Sequence, residues 1–266
     1  MEWLETKTDI GLIREQNEDK ALSIMHPKNK KIKLLIVADG MGGRNHGEIA
    51  SNFVVDSIKN WFLKKETKVL QDVDLTEKLL RRYIKSLNTN LIKKYGEDYL
   101  GTTLTLALVT DKKTLILNVG DSRAYIYQKK QLIQITEDDS DVWMYYKYGA
   151  VKKDDLRYFS NNSIINACIG ICKELCTITS TIISNNYELI LLLTDGVTDM
   201  ITDRKIKSLI NRTKKEDLLE TIIYEAVYKD QKLKIPLRLK RKYLANYIVP
   251  FPGRDNATGA IYIKKV

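Results

Sequence analysis

Aspartates follow apolar runs at three points of the 266-residue sequence. Asp39, Asp121 and Asp195 each come shortly after a run rich in Leu, Ile and Val, and each stands beside a glycine. Asp255 lies in a fourth acidic turn, which precedes the last apolar run of the chain. A single Asp-Gly turn usually reflects only the backbone angles that Asp and Gly tolerate. The repetition favours a shared chemical role for these carboxylates.

Carboxylates at the ends of buried strands are held rigidly, so several of them can converge on one point. A hard divalent cation such as Mg²⁺ or Mn²⁺ prefers oxygen ligands and would relieve their mutual repulsion. Two such ions about 4 Å apart lower the pKa of a water that they share, which provides a nucleophile without Ser, Cys or His. The pattern therefore predicts a metal site built on oxygen ligands.

The sequence offers little for other kinds of catalysis. It contains two histidines, His26 and His46, and neither a Gly-x-Ser-x-Gly nucleophile elbow nor a Gly-x-x-x-x-Gly-Lys phosphate loop. No cysteine is followed by an arginine-capped anion loop that would lower its pKa. Metal-assisted hydrolysis is the chemistry that these residues favour.

Periodicity predicts nine strands and four helices. The predicted strands cover residues 3–10, 21–25, 32–38, 103–109, 114–119, 124–127, 177–183, 189–193 and 259–263. The predicted helices cover 48–65, 75–95, 203–211 and 215–228, where apolar residues recur every three or four positions. Because most strands follow one another through short turns, we expect antiparallel pairing in an α+β fold.

Two polar segments stand outside this pattern. Residues 138–162 are rich in tyrosine and weakly periodic, and we expect them to form a mobile excursion from the core. Segment 232–242, which begins at Lys232 and ends at Lys242, alternates basic and apolar residues around Pro236. It is interpreted either as a solvated edge protected by lysines or as a docking patch for an anionic partner such as nucleic acid or a membrane surface.

Composition bounds the class of protein. With 44% apolar residues the chain can bury a substantial core, and 44 Lys and Arg against 34 Asp and Glu give a net charge of +10. This charge favours encounters with acidic or phosphorylated partners. The N-terminal sequence lacks a secretory signal, and no apolar run approaches the roughly 20 residues of a transmembrane segment, so a cytoplasmic location is expected.

The three cysteines, Cys168, Cys172 and Cys176, are too few and too clustered for a disulfide framework. Their spacing of four would align them as ligands on one helix face. Gly170 and the β-branched residues after Cys176 argue against a helix there, so small buried apolar residues are the favoured interpretation.

The sequence contains six motifs in a fixed order. They are Gly11-Leu-Ile-Arg14-Glu-Gln-Asn17-Glu18-Asp19, Ala38-Asp39-Gly40-Met41-Gly42-Gly43, Gly101-Thr102-Thr103, Asn118-Val-Gly120-Asp121-Ser122-Arg123, Thr194-Asp195-Gly196-Val197 and Asp255-Asn256-Ala-Thr258. Together they resemble the metal-dependent protein phosphatases of type 2C, and Met41 is typical of the bacterial branch. The resemblance extends from about residue 6 to residue 263. It implies a single catalytic domain, 1–266, folded as a four-layer αββα sandwich of two mostly antiparallel sheets flanked by helix pairs.

The resemblance also implies a site for two Mn²⁺ or Mg²⁺ ions. The residues that match the family's metal-binding positions are Glu18, Asp19, Asp39, the carbonyl oxygen of Gly40, Asp121, Asp195 and Asp255. In the family's arrangement Asp39 would bridge the two ions, and Asp195 and Asp255 would complete the first site. Glu18 and Gly40 would serve the second site, and Asp19 would act through bound water. Asp121 and Asp195 would hold a third, weaker ion.

The implied reaction is the hydrolysis of phosphoserine and phosphothreonine in proteins. A metal-bridging hydroxide would attack phosphorus in line, without a phosphoenzyme. Arg14 matches the arginine that grips the substrate phosphate, a role suited to its planar fork of donors. The expected substrates are targets of a Ser/Thr kinase of the same cell.

The sequence departs from the family pattern near the second motif. Met41 stands where eukaryotic members carry the histidine thought to protonate the leaving alcohol, so a metal-bound water is expected to do so. Arg44 replaces a histidine found in many bacterial relatives, and His46 comes two positions late for that role. We interpret His46 as a satisfied loop residue.

The family's variable flap is expected at about residues 138–170. Segment 135–140 resembles its entry and segment 162–170 its exit. The aromatic residues there either contact a phosphoprotein or pack the flap itself; they are Trp143, Tyr145, Tyr146 and Tyr148.

Two other functions would suit parts of this sequence. A catalytically weak relative could serve as a regulatory module that binds phosphoproteins or a kinase, but such proteins usually lack a metal carboxylate and none is missing here. The net charge and the basic segment 232–242 would suit a nucleic-acid-associated protein, whose binding would be strongly salt-dependent. Neither alternative accounts for the ordered acidic turns.

Overall fold

The computed structural model describes residues 2–42, 46–97, 99–159, 161, 164–175, 177–229, 233–236, 239 and 247–264. The strands are β1 (Trp3–Asp9), β2 (Lys20–His26), β3 (Asn29–Ala38), β4 (Gly40–Gly42), β5 (Leu100–Thr102), β6 (Leu104–Val109), β7 (Lys113–Val119), β8 (Arg123–Gln128), β9 (Gln131–Gln134), β10 (Thr179–Ser184), β11 (Leu189–Leu193) and β12 (Ala257–Ile263). The α-helices are α1 (Gly47–Lys64), α2 (Thr67–Gln71), α3 (Val73–Tyr95), α4 (Asp141–Lys147), α5 (Asp195–Thr198), α6 (Asp203–Arg212) and α7 (Leu218–Val227). Short 3₁₀ helices cover Lys153–Tyr158 and Lys215–Asp217.

Two antiparallel sheets of five strands each form the centre of the fold. The first has the order β1-β12-β11-β8-β9, and the second has the order β10-β7-β6-β3-β2. A two-stranded ribbon pairs β4 with β5 beside the second sheet. The predicted α+β fold with two antiparallel sheets is therefore confirmed.

Alternation along the central strands divides the core into layers. On β3, Leu35 and Val37 point into the apolar layer between the sheets, whereas Leu34 and Ile36 belong to the layer against α1 and α3. On β11, Ile190 and Leu192 face the other sheet, whereas Leu189, Leu191 and Leu193 face α6 and α7. Strands buried on both faces have continuous apolar sequences, which is why these runs are so pronounced.

All nine predicted strands exist, with ends shifted by up to three residues. The prediction for residues 215–228 is wrong at its start, because a 3₁₀ turn precedes α7 there. Helix α3 was predicted to begin at residue 75 but begins at Val73. The preceding Asp72 caps it, because its carboxylate accepts a hydrogen bond from the amide of Leu75 at 3.0 Å. Elements that the periodicity did not predict are short: β4, β5, β9, α2, α4 and α5.

The region expected to form the flap has a small apolar core of its own. Val142 and Trp143 of α4 pack with Leu156 and Phe159. Trp143 is buried and therefore packs this region, whereas Tyr148 is 79% exposed. The flap as a separate, mobile subdomain stays a prediction.

Segment 232–242 is described only at residues 233–236 and 239. There Leu233, Ile235 and Leu239 pack onto the apolar core of the flap region. The apolar half of the alternating pattern thus has a packing role. The remaining residues of the segment lie outside the described residues, so the anionic partner stays a prediction.

The cysteine segment is built of turns at residues 168–175, so the described cysteines do not share a helix face. Cys168 is half-buried, but Cys172 is exposed, so the interpretation as buried apolar residues is wrong for Cys172. Cys176 lies outside the described residues. Among the helices of the described chain, none combines the length and apolar character needed to cross a membrane.

Candidate active site

The predicted carboxylates meet at one end of the two sheets. In the second sheet, Asp19 precedes β2 and Asp39 follows β3, and the pairing of Lys20 with Ala38 sets these two aspartates side by side. In the first sheet, Asp195 begins α5 directly behind β11, and Asp255 lies just before β12. The sheet registers thus bring together residues that are far apart in sequence.

Two threonines fix the backbone at Asp39. The Asp39 amide donates to Thr103 Oγ1 at 2.9 Å, and the Thr103 amide returns a hydrogen bond to the Asp39 carbonyl at 2.8 Å. The same carbonyl accepts from Thr102 Oγ1 at 2.9 Å. The Gly-Thr-Thr motif therefore holds the Asp39 backbone in one position.

Glu18 is packed tightly against Gly40. The Gly40 amide donates to the Glu18 carbonyl at 3.1 Å, and Glu18 Oε1 accepts from the amide of Gly47 at 2.8 Å. A Cβ atom at Gly40 would lie 2.3 Å from the Gly47 carbonyl oxygen, so only glycine fits. The glycine after Asp39 is thus required by close packing, since Gly40 lies in β4 and does not have a positive φ.

Asn256 connects three segments of the site. Its Oδ1 accepts from the Glu18 amide at 2.9 Å, and its Nδ2 donates to the carbonyls of Ile10 at 2.9 Å and Gln16 at 3.1 Å. A Cβ atom on Gly196 would lie 2.0 Å from the Asn256 carbonyl oxygen. This asparagine explains why the last motif continues beyond Asp255.

Arg14 lies on the solvent side of the carboxylates and is about half exposed. Its Nη2 donates to Asp255 Oδ2 at 2.8 Å, and its Nη1 lies 3.9 Å from Glu18 Oε2. Asp255 and Glu18 raise the already high pKa of the guanidinium against the opposing effect of burial. The arginine is therefore a fixed positive charge at the mouth of the site.

Burial and mutual repulsion raise the pKa of the clustered carboxyls. Burial is the largest cause for Asp19, Asp39 and Asp121, whose pKa values all lie well above the ordinary value. For Asp195, burial followed by repulsion from Asp255 and Asp199 raises the pKa to about 7. The repulsion from Asp195 also reaches Asp121, so the structure brings Asp121 into the same electrostatic cluster.

This donor set suits a hard divalent cation. Among the described residues, Asp19 Oδ1 and Asp195 Oδ1 are buried oxygens without a hydrogen-bond partner, although Asp19 Oδ2 accepts from Thr194 at 2.9 Å. Buried anionic oxygens of this kind are costly unless a cation or donor compensates them.

No group of three or more His, Cys, Asp or Glu side chains in the described part of the chain already has the spacing of a metal cage. Ligand spacing depends on side-chain torsions, which an ion can change, whereas the strand ends fix the backbone from which the carboxylates extend. The unpartnered oxygens of Asp19 and Asp195 are therefore the feature that suits a cation.

In EDTA, we expect the protein to become less stable as pH rises from about 4 to 7. A carboxyl whose pKa is raised in the folded state, as that of Asp195 is, binds its proton more tightly when folded. That stabilisation is complete below the unfolded-state pKa and is lost as pH rises through the folded-state value.

Between about pH 4 and 7, the melting temperature of the wild type in EDTA should fall by about 5 °C. The decrease should be smaller in Asp195→Asn. An identical pH profile in wild type and Asp195→Asn would contradict the assignment of the shift to this residue.

A cleft of about 110 Å³ opens beside the carboxylates. Its lining residues are Arg14, Arg157, Phe159, Asp195, Gly196, Asp199, Met200, Ile248, Pro250, Arg254 and Asp255. One wall is apolar, and the floor carries the aspartates. The cleft can therefore accept a group that is apolar along one side and anionic where the arginines, or a cation held by the aspartates, compensate its charge.

Three charged residues of this cleft were missed in the sequence: Arg157, Asp199 and Arg254. Asp199 follows Asp195 by four positions, a spacing that would have placed it beside Asp195 on a helical turn. Arg254 stands next to Asp255 in a motif already singled out. Arg157 lies in the weakly periodic segment 138–162, where no local pattern indicates its position.

The two histidines lie outside the cleft. His26 is buried and makes an edge contact with Phe62, with ring centroids 5.2 Å apart. His46 stacks on Tyr99 at 5.7 Å, which agrees with its interpretation as a satisfied loop residue. Arg44 lies outside the described residues.

Comparison with known proteins gives one consistent result. Residues 14–227 match the family described as protein phosphatase 2C. The serine/threonine phosphatase stp of Listeria welshimeri is 32% identical over 211 residues, which are 77% of this chain and 82% of the relative. Protein phosphatase PhpP of Streptococcus pneumoniae is 27% identical over 96% of this chain and 94% of its own length.

Solved structures agree with the sequence matches. Serine/threonine phosphatase Stp1 from Staphylococcus aureus superposes with a TM-score of 0.80 at 30% identity, over 100% of this chain and 96% of the other. The catalytic domain of the phosphatase PstP, solved with two manganese ions, has the same fold, with a TM-score of 0.74 at 22% identity over 98% and 97% of the two chains. The match to this family covers residues 14–227, about 80% of the chain, and the carboxylates lie at one end of the two sheets. The chain therefore belongs to the protein phosphatase 2C family.

Proposed function

We infer that this chain is a metal-dependent phosphatase that hydrolyses phosphoserine and phosphothreonine in other proteins. The single observation that carries the inference is the cluster of carboxylates formed by Asp19, Asp39 and Asp195 at the end of the two sheets, in which the Oδ1 atoms of Asp19 and Asp195 are buried without a hydrogen-bond partner among the described residues. Membership of the 2C family and relatives named serine/threonine phosphatases support it.

We propose that the chain holds two divalent ions, Mn²⁺ or Mg²⁺. Asp39 would contact both ions, Asp195 and Asp255 would complete one site, and Glu18 with the Gly40 carbonyl would serve the other. The two manganese ions in the structure of PstP support this number. When bound, such ions supply positive charge and lower the pKa of a water nucleophile.

Two further carboxylates extend this proposal. Asp19 is buried, and one of its oxygens is fixed by Thr194, so its role is to accept hydrogen bonds from water near the ions. Burial, and then repulsion from Asp195, raise the pKa of Asp121, so the two carboxyls lie near each other, which supports a third, weaker site between them.

Arg14 binds and orients the phosphate in this proposal. Its guanidinium is held by Asp255 at the mouth of the cleft, and its fork of donors matches two phosphoryl oxygens. The apolar wall formed by Phe159, Ile248 and Pro250 limits water beside the scissile bond. Arg14 would thus neutralise charge that develops on the phosphoryl group.

The leaving alcohol needs a proton, and the described residues that line the cleft include no histidine. Met41 lies in β4, and its thioether has no proton to donate. Protonation by water in the cleft is therefore the route that we propose.

The natural substrates are phosphorylated proteins. That they are targets of a Ser/Thr kinase of the same cell, and that the protein acts in the cytoplasm, are predictions. The alternative of a catalytically weak binding module is disfavoured, because every carboxylate expected of an active member is present.

The direct test is phosphate release from synthetic phosphothreonine and phosphoserine peptides. We expect turnover with Mn²⁺, complete loss in EDTA, and recovery when Mn²⁺ is restored. A phosphotyrosine peptide of the same sequence is the matched control and should be a poor substrate. Turnover that continues undiminished in EDTA would overturn the proposal.

A further inference from the structure

Arg254 lines the same cleft as Arg14 but has no task in the proposed chemistry. Its side chain is exposed, and within the described residues its guanidinium has no hydrogen-bond or ion-pair partner. The other arginines of the cleft are engaged. Arg14 pairs with Asp255, and Arg157 is buried and donates to the carbonyls of Asp154 at 3.1 Å and Met200 at 3.0 Å. Arg254 is therefore the arginine of this cleft whose donors have no partner among the described residues.

The backbone that carries Arg254 is fixed. The Leu12 amide donates to the Gly253 carbonyl at 2.7 Å, and Gly253 has a φ of +69°. A Cβ atom at Gly253 would lie 2.5 Å from the Leu12 side chain, so the turn is closely packed. On the other side, the Asn256 amide donates to Asp255 Oδ1 at 2.9 Å. The backbone at Arg254 is thus held in place beside Asp255, a proposed metal ligand, and the guanidinium can move only through its own side-chain torsions.

The surroundings of Arg254 suit an anionic group of the substrate. Met200, Ile248 and Pro250 line the same cleft, and the exposed guanidinium of Arg254 attracts an anionic group there through an interaction that solvent and salt screen. The phosphate itself is assigned to Arg14 and the ions. A residue one or two positions from the phosphorylated residue lies about 4 to 7 Å away along an extended chain, within the reach of an arginine side chain.

We propose that Arg254 is a specificity-determining residue that selects phosphorylated sites flanked by Asp or Glu. The side-chain carboxylate of the substrate accepts hydrogen bonds from the Arg254 guanidinium while Arg14 holds the phosphate. This inference rests on the proposed function, since it names the substrate class of the same site.

The test compares three phosphothreonine peptides that differ only at the two residues on each side of the phosphothreonine, which are all Glu, all Gln or all Lys. Each is assayed with Mn²⁺, and the result is the ratio of kcat/KM values within one protein. A general loss of activity in a variant cancels from this ratio. We expect wild type to favour the Glu peptide over the Gln peptide by about three- to tenfold, a preference that decreases with added salt.

Three variants assign this preference to one residue. Arg254→Gln should bring the ratio of Glu to Gln peptide close to one, and Arg254→Glu should reverse it in favour of the Lys peptide. Arg82→Gln, at an exposed position on α3 away from the cleft, removes the same unit of charge and should keep the wild-type ratio. This control separates Arg254 from the general attraction of a chain with a net charge of +10.

The outcomes distinguish the two levels of inference. Wild type that hydrolyses all three peptides equally, or Arg254→Gln that keeps the wild-type ratio, would overturn the role of Arg254 and leave the phosphatase function intact. Wild type that hydrolyses none of the peptides with Mn²⁺ would overturn the proposed function together with this role.

Discussion

Asp39→Asn is expected to lower kcat/KM for a phosphothreonine peptide by at least about 10³-fold, while the protein stays folded. Asparagine has nearly the same shape as aspartate but lacks the charge with which Asp39 would attract two cations. The backbone of Asp39 is held by Thr102 and Thr103, so the substitution should leave the chain trace unchanged. Removing one of several mutually repelling carboxyls should also raise the melting temperature in EDTA.

The assay is Mn²⁺-dependent phosphate release, with circular dichroism and thermal unfolding to confirm the fold. Asp111→Asn is the matched control, because Asp111 is exposed in the turn between β6 and β7 and should keep wild-type activity. Asp39→Asn protein that is folded and fully active would refute the assignment of Asp39.

Asp138→Ala should have the largest effect on stability, with a loss of about 3–5 kcal/mol in the free energy of unfolding. Asp138 is buried and receives hydrogen bonds from Arg123, whose Nε lies 2.9 Å from both carboxylate oxygens and whose Nη2 lies 2.6 Å from Oδ2. Without this carboxylate a guanidinium would stay buried and unpaired. The expected decrease in melting temperature is about 10 °C for a chain of this size.

The neighbouring Glu137 provides the control for this prediction. Its carboxylate pairs with Lys147 at 2.8 Å on the surface, where solvent screens the interaction. Glu137→Ala should therefore leave the urea unfolding midpoint close to that of wild type. Equal losses in the two variants would show that burial of the Arg123–Asp138 pair does not determine its contribution.

The sequence determines the central strands clearly because both faces of β3 and β11 are buried. Continuous apolar runs such as the one ending at Ala38 are typical of strands that are buried on both faces. The acidic turns follow these strands directly, so the positions of Asp39 and Asp195 could be predicted together with the strands. The resemblance to the 2C family supplied the roles, which local patterns alone left open.

Contacts between distant segments could not be predicted. Asn256 holds Ile10, Gln16 and Glu18 through hydrogen bonds that span about 240 positions, and no periodicity encodes such a connection. The short ribbon of β4 and β5 has three residues in each strand and too few side chains for a pattern. Arg254 directly precedes the last motif, but its access to the cleft depends on the turn at Gly253.

The central claim is that the clustered carboxyls bind divalent cations through Asp39. Equilibrium dialysis against Mn²⁺, with the bound metal counted per chain in wild type and in folded Asp39→Asn, tests this most directly. We predict that wild type binds at least two ions and that Asp39→Asn binds them with affinity lowered by at least about tenfold. Equal stoichiometry and equal affinity in the two proteins would contradict the account.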